Sequence, residues 1–342
     1  MSMQVSQASQ ILISIIIPAY NSSGYLSTML DSIYSQTYKN YEVIVAYDTK
    51  STDDTLVILE KYQKMNNLII LSSMDESAGS ARNRGLLHAK GDYVIFMDSD
   101  DLIVPTYLED LLEVLVEYPD LDVVCGGRID ALETTVQMAY DKALLSKKDV
   151  SVYDSLTAID MWIRGVDFPL TPWVYLVKKS YLDKNSIAFP NYSLGEDQVY
   201  VIQLLAHTDK VGINRKLGYV HILHPLSLSQ SPKSYSEEWY AECCVQKDIL
   251  QHLVSASYLQ SARDFINQRE VTAVHSFAKY DYSTFGVLLA ENNINKLHAI
   301  SNTSLINKMG CICFNHSKFA FYHILNSVLF RKRIRTSKYL DE

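Results

Sequence analysis

Residues 93–101 read YVIFMDSDD, a short apolar run that ends in three aspartates within four positions. Such a run is typical of a strand that is buried on both faces of a sheet. Crowded carboxylates repel one another unless a cation or solvent screens them. Because Mg²⁺ and Mn²⁺ take oxygen ligands, Asp98 and Asp100 are predicted metal ligands on one side of a continuing strand. The alternative is an acidic turn in which Asp100 or Asp101 caps the next helix.

Outward from this strand, the sequence alternates between two periodicities. Four further apolar runs predict strands at 11–17, 42–48, 68–71 and 122–125. Apolar residues at helical spacing lie between them at 26–33 and 108–115, and Ser22 or Ser23 is available to cap the first helix. The alternation predicts an α/β fold with a mostly parallel sheet and helices on both faces. Ligands of such sheets bind at the carboxyl ends of the strands.

Two other segments follow predicted strands. Asp48 ends the second strand and is placed to accept hydrogen bonds from a ligand, whereas Thr52 or Asp53 is expected to cap the next helix. The small-residue segment 77–85 opens a helix, whose free N–H groups favour an anion, and Arg82 would add a charge-assisted contact to a diphosphate. A surface helix that carries two arginines is the alternative.

A fourth acidic segment, Gly195-Glu196-Asp197, follows the aromatic stretch Phe189-Pro190. A carboxylate on a loop beside a donor site can act as the general base toward an acceptor hydroxyl. Taken alone, an exposed Glu-Asp pair has no special meaning.

In this order the segments resemble the family 2 glycosyltransferases, which have a GT-A type fold. The motifs that carry the resemblance are SIIIPAYN at 14–21, ARNRG at 81–85, AKGDY at 89–93, DSDD at 98–101, PW at 172–173, IAFP at 187–190 and GED at 195–197. Together they extend over about residues 12–230.

The resemblance implies an inverting transfer of a sugar from a nucleotide diphosphate sugar, a UDP-sugar, to a hydroxyl of a glycan or lipid-linked acceptor in cell-surface polysaccharide synthesis. It also implies a role for each matching residue. The donor would contact Pro18, Ala19, Tyr20, Asp48, Arg82 and Asp98; the Mn²⁺ or Mg²⁺ ion would be held by Asp98 and Asp100; Asp197 would be the catalytic base; Trp173 and Glu196 would lie on the acceptor side.

The chemistry of such a transfer agrees with this division of roles. Charge on the departing diphosphate must be stabilised, which a divalent cation does as a Lewis acid. The acceptor alcohol must lose its proton as it attacks, which calls for a separate carboxylate. The sequence gives no evidence for a covalent nucleophile.

The chain departs from the family pattern at two places. Tyr47 replaces the first of two adjacent aspartates. Thr49-Lys50 stands in place of a single glycine, so this loop is one residue longer. Both changes lie next to Asp48, the residue expected to recognise the nucleobase. Ile222 lies near the position where the family often has arginine. His224 is a candidate third metal ligand or diphosphate contact, and a packed or exposed histidine is the alternative.

The predicted catalytic domain covers residues 1–230, with a nucleotide-sugar half at about 11–126 and an acceptor half at about 127–230. A helical region is expected at 231–342. Its aromatic and basic segment 319–338 is typical of an interfacial helix on an anionic membrane. The alternative is a helix that packs on the catalytic domain and ends in a solvated basic tail.

Composition excludes some classes of protein. The 342 residues carry a net charge of −8, which argues against a nucleic-acid partner. Five cysteines without zinc-ligand spacing favour a reducing compartment. Because the chain lacks a long apolar run and a basic leader, we expect a cytoplasmic protein, peripheral at the inner face of the membrane.

Two other functions fit parts of the sequence. A haloacid-dehalogenase-like phosphohydrolase would use Asp98 as a phosphorylated nucleophile, although Leu102 stands where that family expects Thr or Val. A catalytically silent scaffold that binds nucleotide sugars is the other alternative, against which the set Asp98, Asp100 and Asp197 argues.

Overall fold

A computed structural model describes residues 10–75, 77–163, 165–191 and 195–224 of the chain. The predicted helical region 231–342, with its candidate membrane segment 319–338, lies outside these residues. None of the helices in the described ranges is long and apolar enough to cross a membrane.

The described residues form nine strands and eight α-helices. The strands are β1 (Ile13–Ala19), β2 (Tyr41–Asp48), β3 (Leu68–Ser73), β4 (Tyr93–Phe96), β5 (Leu102–Ile103), β6 (Val123–Leu132), β7 (Val150–Asp154), β8 (Tyr175–Lys178) and β9 (Lys210–Leu223). The α-helices are α1 (Leu26–Tyr34), α2 (Thr55–Tyr62), α3 (Ala78–His88), α4 (Tyr107–Glu117), α5 (Val136–Leu144), α6 (Ser155–Ile163), α7 (Lys179–Asn185) and α8 (Glu196–His207). Short 3-10 helices lie at Glu133–Thr135 and Pro172–Val174.

All nine strands belong to one mixed sheet, in the order β3-β2-β1-β4-β8-β6-β9-β5, and β7 also pairs with β9. The predicted α/β fold is confirmed, and β1 to β4 are parallel as expected. Beyond β4 the sheet is mixed, with β6 and β9 parallel and the other pairs antiparallel. There, β8 is inserted antiparallel between β4 and β6, because the crossover through α4 leaves a gap of one strand between them.

The strand order reverses between β1 and β4. From β1 the chain steps outward through α1 and α2 to β3, and then α3 carries it back past β1 to β4. Because such crossovers are right-handed, α1 and α2 lie on one face of the sheet and α3 on the other. A reversal of this kind opens a crevice at the carboxyl ends of the two strands, where ligands of α/β sheets bind.

The predicted strands are confirmed, with bounds that shift by one or two residues, except that β6 extends seven residues further, to Leu132. In β1, Ile13, Ile15, Ile16 and Ile17 are fully buried, as the continuous apolar run indicated. The predicted apolar face of α1, from Leu26 to Ile33, is also buried. These elements place the core directly behind the crevice.

The predicted helix caps are partly wrong. Tyr25 occupies the cap position of α1, because the intervening turn separates Ser22 from the helix. Ser23 instead donates its N–H to Asp53 at 2.8 Å. The carboxylate of Asp53 also accepts the N–H of Thr55, the first residue of α2, at 3.1 Å, but the cap position of α2 is occupied by Asp54 and not by the predicted Thr52 or Asp53. The two strand-to-helix turns are therefore tied together beside the crevice.

Candidate active site

The carboxyl ends of β1, β2 and β4 bring the predicted donor-side residues to one edge of the sheet. Pro18 and Ala19 end β1, and Tyr20 follows them with 57% of its surface exposed. Asp48 ends β2 and is largely buried. Asp98 lies two residues beyond β4. The parallel register of these strands explains why residues so far apart in sequence meet here.

An acidic loop, residues 98–101, connects β4 to β5. The carboxylate oxygens of Asp98, Asp100 and Asp101 lie within 4.8 Å of one another. Since β4 ends at Phe96, the expectation that Asp98 and Asp100 lie on a continuing strand is wrong, and a turn gathers the carboxylates instead. Burial and the charge of Asp98 raise the pKa of Asp100 and Asp101. A divalent cation would relieve that repulsion.

Tyr219 of β9 holds the acidic loop in place. Its hydroxyl donates to Asp101 at 2.7 Å and accepts the N–H of Asp98 at 3.2 Å. The N–H of Ile222 donates to the other carboxylate oxygen of Asp101 at 2.8 Å. Asp101, which is 1% exposed, therefore joins the loop to β9 and does not cap a helix as the alternative reading expected.

His224, at the end of β9, lies beside the acidic loop. Its Nδ1 is 2.6 Å from Glu133 Oε1, and its Nε2 is 3.7 Å from Asp100 Oδ2. A neutral imidazole that donates from Nδ1 to a carboxylate presents a lone pair at Nε2. In that tautomer the lone pair would face the oxygens of Asp100, whose backbone oxygen lies 3.4 Å from Nε2; with a proton on Nε2, the ring would donate to that oxygen instead. The exposed-histidine alternative is wrong, because the side chain is 7% exposed.

Arg82 of α3 joins the acidic loop to the predicted base. Its guanidinium pairs with Asp98 at 2.7 Å and with Asp197 at 2.9 Å, and Glu196 lies 3.7 Å away. The side chain is almost fully buried, so the alternative of a surface helix with two arginines is wrong. Ser77 caps α3 and its hydroxyl accepts the N–H of Ser80, so part of the predicted anion-binding capacity is used within the helix itself.

The two carboxylates at the start of α8, Glu196 and Asp197, differ in pKa. Burial raises the pKa of Glu196 to about 8 and that of Asp197 to about 6, while the positive charge of Arg82 opposes both shifts. Glu196 therefore keeps its proton to a higher pH than Asp197 does. One-quarter of the Asp197 side chain is exposed, which leaves a face free to accept a proton.

Trp173 supports the site from behind. It is 2% exposed and stacks on Tyr219 with ring centroids 4.5 Å apart. His221 stacks on the same ring system at 5.0 Å, and the guanidinium of Arg128 lies 5.1 Å from it. Buried in this way, Trp173 backs the tyrosine that holds the acidic loop and offers almost no surface to an acceptor.

The extra residue after β2 changes the surroundings of Asp48. The N–H of Lys50 donates to Asp48 Oδ1 at 2.9 Å, which closes a tight turn over Thr49. The amino group of Lys50 donates to the backbone oxygen of Asp75 at 2.8 Å. One oxygen of Asp48 is thus engaged within its own loop.

Three residues of the ARNRG motif make contacts that were not predicted for them individually. Asn83 bonds to the backbone of Phe189, Arg84 pairs with Asp75, and Gly85 packs against β1. Only the motif as a whole signalled them, because Asn83 and Gly85 have partners far away in sequence and Arg84 also bonds to the backbone oxygens of Leu71 and Tyr47.

Comparison with known proteins supports the resemblance to the family 2 glycosyltransferases. Residues 14–165 match the family model described as glycosyl transferase family 2. Glycosyltransferase GlyA of Streptococcus pneumoniae is 32% identical over 233 residues, which are 66% of this chain and 32% of GlyA. Poly(ribitol-phosphate) beta-N-acetylglucosaminyltransferase TarP of Staphylococcus aureus is 28% identical over 241 residues, which are 67% of this chain and 69% of TarP. The chain thus spans about a third of the length of GlyA.

The same fold occurs in a solved structure, that of S. aureus TarS 1–349 in complex with UDP-GlcNAc. The two chains align with a TM-score of 0.61 at 21% identity, over 82% of this chain and 80% of that one. This likeness confirms the predicted GT-A type fold.

Proposed function

We propose that this chain, whose residues 14–165 match the model of glycosyl transferase family 2, transfers a sugar from a UDP-sugar to a hydroxyl of a cell-surface polysaccharide, with inversion at the anomeric carbon. One observation carries the proposal: Arg82 joins Asp98 of the acidic loop to Asp197, at 2.7 and 2.9 Å. Asp98, which would help to bind the donor, and Asp197, which would serve as base, therefore lie on either side of one guanidinium group.

Asp98 and Asp100, with His224, would hold a Mn²⁺ or Mg²⁺ ion. The ion would act as a Lewis acid on the diphosphate. Support comes from the oxygen-rich donor set within 4.8 Å and from the Nε2 of His224, which faces the same loop. The buried position of Asp101 keeps the loop in the shape that such an ion needs.

Asp197 would take the proton from the acceptor hydroxyl as that oxygen attacks the anomeric carbon and the bond to the diphosphate breaks. Its partly exposed carboxylate, which loses its proton at a lower pH than that of Glu196, suits this task. One base and a separate acidic loop fit a single displacement, which inverts the configuration. Glu196, in its protonated form, would donate a hydrogen bond on the acceptor side.

Further observations support the proposed classes of donor and acceptor. Tyr20 and Asp48 lie where the nucleotide would bind, at the ends of adjacent parallel strands. The solved structure with the same fold is a complex with UDP-GlcNAc. The names of the relatives TarP and the Bacillus spizizenii poly(ribitol-phosphate) beta-glucosyltransferase support a cell-wall polymer as acceptor.

Release of UDP tests the proposal. Purified protein is incubated with UDP-GlcNAc, UDP-glucose or other nucleotide sugars and Mn²⁺, with and without EDTA. We expect metal-dependent UDP release, including slow hydrolysis without acceptor. Release of phosphate from simple monoesters would favour the phosphohydrolase, and nucleotide-sugar binding without turnover would favour the scaffold.

Two variants sharpen the result. Asp100→Ala should abolish metal-dependent UDP binding. Asp183→Asn, which changes an exposed carboxylate on α7 that pairs only with Lys179 in the described structure, should leave it unchanged. Unaltered binding in Asp100→Ala would remove Asp100 from the metal site.

A further inference from the structure

Asn83 makes a two-point contact that joins α3 to a distant segment of the chain. Its Nδ2 donates to the backbone oxygen of Phe189 at 2.8 Å, and its Oδ1 accepts the backbone N–H of Phe189 at 2.9 Å. Since both ends of the amide are used on one residue, the orientation of the side chain is fixed. The two residues are 106 positions apart in sequence.

The same face of α3 is in close contact with Phe189. Gly79, Arg82 and Asn83 follow helical spacing and therefore share this face. A Cβ added at Gly79 would lie 3.2 Å from the Cβ of Phe189 and 3.2 Å from the Cγ of Glu196. The guanidinium of Arg82 lies 5.2 Å from the centre of the Phe189 ring. Phe189 is therefore in direct contact with this face of α3.

Phe189 in turn contacts the helix that carries the proposed base. Its ring stacks on Tyr200 of α8 at a centroid distance of 4.1 Å and an interplanar angle of 4°. It also meets Phe96 of β4 edge to face at 5.0 Å. The ring is thus wedged between α3, β4 and α8, and Asp197 lies in the first turn of α8.

We infer that Asn83 is a positioning residue for catalysis: by fixing Phe189 against α3, it sets the distance between the base on α8 and the donor-binding side of the crevice. This inference rests on the proposed function. It differs from a merely structural role, because a displaced base slows transfer while UDP binding, which depends on the acidic loop, is retained. Misplacement of a catalytic group by about 1 Å costs up to roughly 10²-fold in rate.

The experiment compares Asn83→Ala with the wild type, using UDP-GlcNAc or UDP-glucose, whichever turns over faster, and Mn²⁺. We expect kcat to fall about 10- to 100-fold, while the Kd for UDP with Mn²⁺, measured by calorimetry, changes less than about twofold. The matched control is Asn67→Ala, which removes another partly buried bond from an asparagine to the backbone, to Tyr41 at 3.1 Å. We expect its kcat to match the wild type.

An unchanged kcat in Asn83→Ala would overturn the inference, and so would a parallel loss of kcat and UDP affinity. If Asn83→Ala does not fold, Asn83→Gln, which keeps the amide but lengthens the side chain, is judged by the same two measurements. A wild-type protein that releases no UDP would refute the proposed function instead, so the two failures are distinguishable.

Discussion

The guanidinium of Arg82 lies between two carboxylates, Asp98 and Asp197, to which different tasks are assigned. A buried arginine without such partners would cost several kcal/mol, so the pairing explains why a charged residue can occupy the middle of α3. It also keeps Asp197 oriented toward the crevice.

Replacement of Asp197 by Asn should separate binding from catalysis. Asn retains a hydrogen bond to Arg82 but cannot take a proton, so we expect UDP affinity to stay within about twofold while transfer falls by about 10²-fold or more. Calorimetry and the rate of UDP release give the two values. Wild-type turnover in this variant would mean that another residue is the base.

The pH dependence of kcat/KM should report the same carboxylate. Burial raises the pKa of Asp197 to about 6, against the opposing charge of Arg82. A base acts in its deprotonated form, so kcat/KM should fall as pH drops below about 6, approaching tenfold per pH unit, and Asp197→Asn should lack this limb. UDP affinity measured over the same range distinguishes loss of the base from loss of the metal.

Tyr219→Phe should weaken the metal site. The change removes one partner from the buried Asp101 and leaves the N–H of Asp98 without its acceptor, a loss of about 1–3 kcal/mol in stability. The control Tyr181→Phe removes a buried bond to the backbone of Leu204 at 2.7 Å. We expect comparable destabilisation in both, but weaker Mn²⁺ affinity only in Tyr219→Phe, and equal affinities would contradict this role.

Among the secondary-structure elements, α3 packs closely on the sheet because it has a glycine, Gly85, at the point of contact. A Cβ at Gly85 would overlap the side chain of Ile16 in β1, so the helix lies closer to the sheet than an alanine permits. Each residue from Arg82 to Gly85 thus contacts a partner outside the helix. These contacts explain why four consecutive positions of the ARNRG motif are each constrained.

Gly85→Ala should therefore destabilise the protein. Overpacking costs about 1–3 kcal/mol, of which the higher helix propensity of alanine recovers up to about 1 kcal/mol. Gly24→Ala is the control, because a Cβ there meets nothing within 4 Å, and its effect should stay within about 0.5 kcal/mol. Urea unfolding measures both, and equal stabilities would show that α3 can move away from β1 at no cost.

The elements that sequence predicted best are those with a uniform environment. Strands β1, β2 and β4 are buried on both faces, so a continuous apolar run identified them, and the alternation with helices indicated the fold. Strand β8 was not predicted, because its four residues lie in a region without clear periodicity and pair antiparallel between strands that are already parallel.

The candidate site likewise contains residues that could be predicted from the sequence and contacts that could not. The acidic residues could be located from their positions after strands, and the resemblance assigned their roles. The hold of Tyr219 on Asp101 could not be predicted, because it joins positions 118 residues apart and depends on the register of β9. The partners of Arg82 could not be predicted either, because a guanidinium suits a diphosphate and a carboxylate equally well.

For the molecule as a whole, ligand binding should increase the free energy of unfolding. A ligand that binds only the folded state stabilises it by about 2.7 kcal/mol at a concentration of 100 times Kd. We therefore expect UDP with Mn²⁺ to raise Tm, EDTA to reverse the increase, and Asp100→Ala to lose its metal-dependent part. An equal increase with EDTA present would argue against a metal-bridged diphosphate.

The hydrogen bonds between Tyr219 and the acidic loop also have a consequence for the order in which the site forms during synthesis of the chain. The hydroxyl and the N–H of Asp98 belong to positions 121 residues apart, and a ribosome adds about 5–20 residues per second. The loop thus emerges on the order of ten seconds before the tyrosine that secures it. Until β9 pairs with β5 and β6, the acidic loop lacks its hydrogen bonds with Tyr219 and Ile222, so the proposed metal site cannot be complete before these residues have been synthesised.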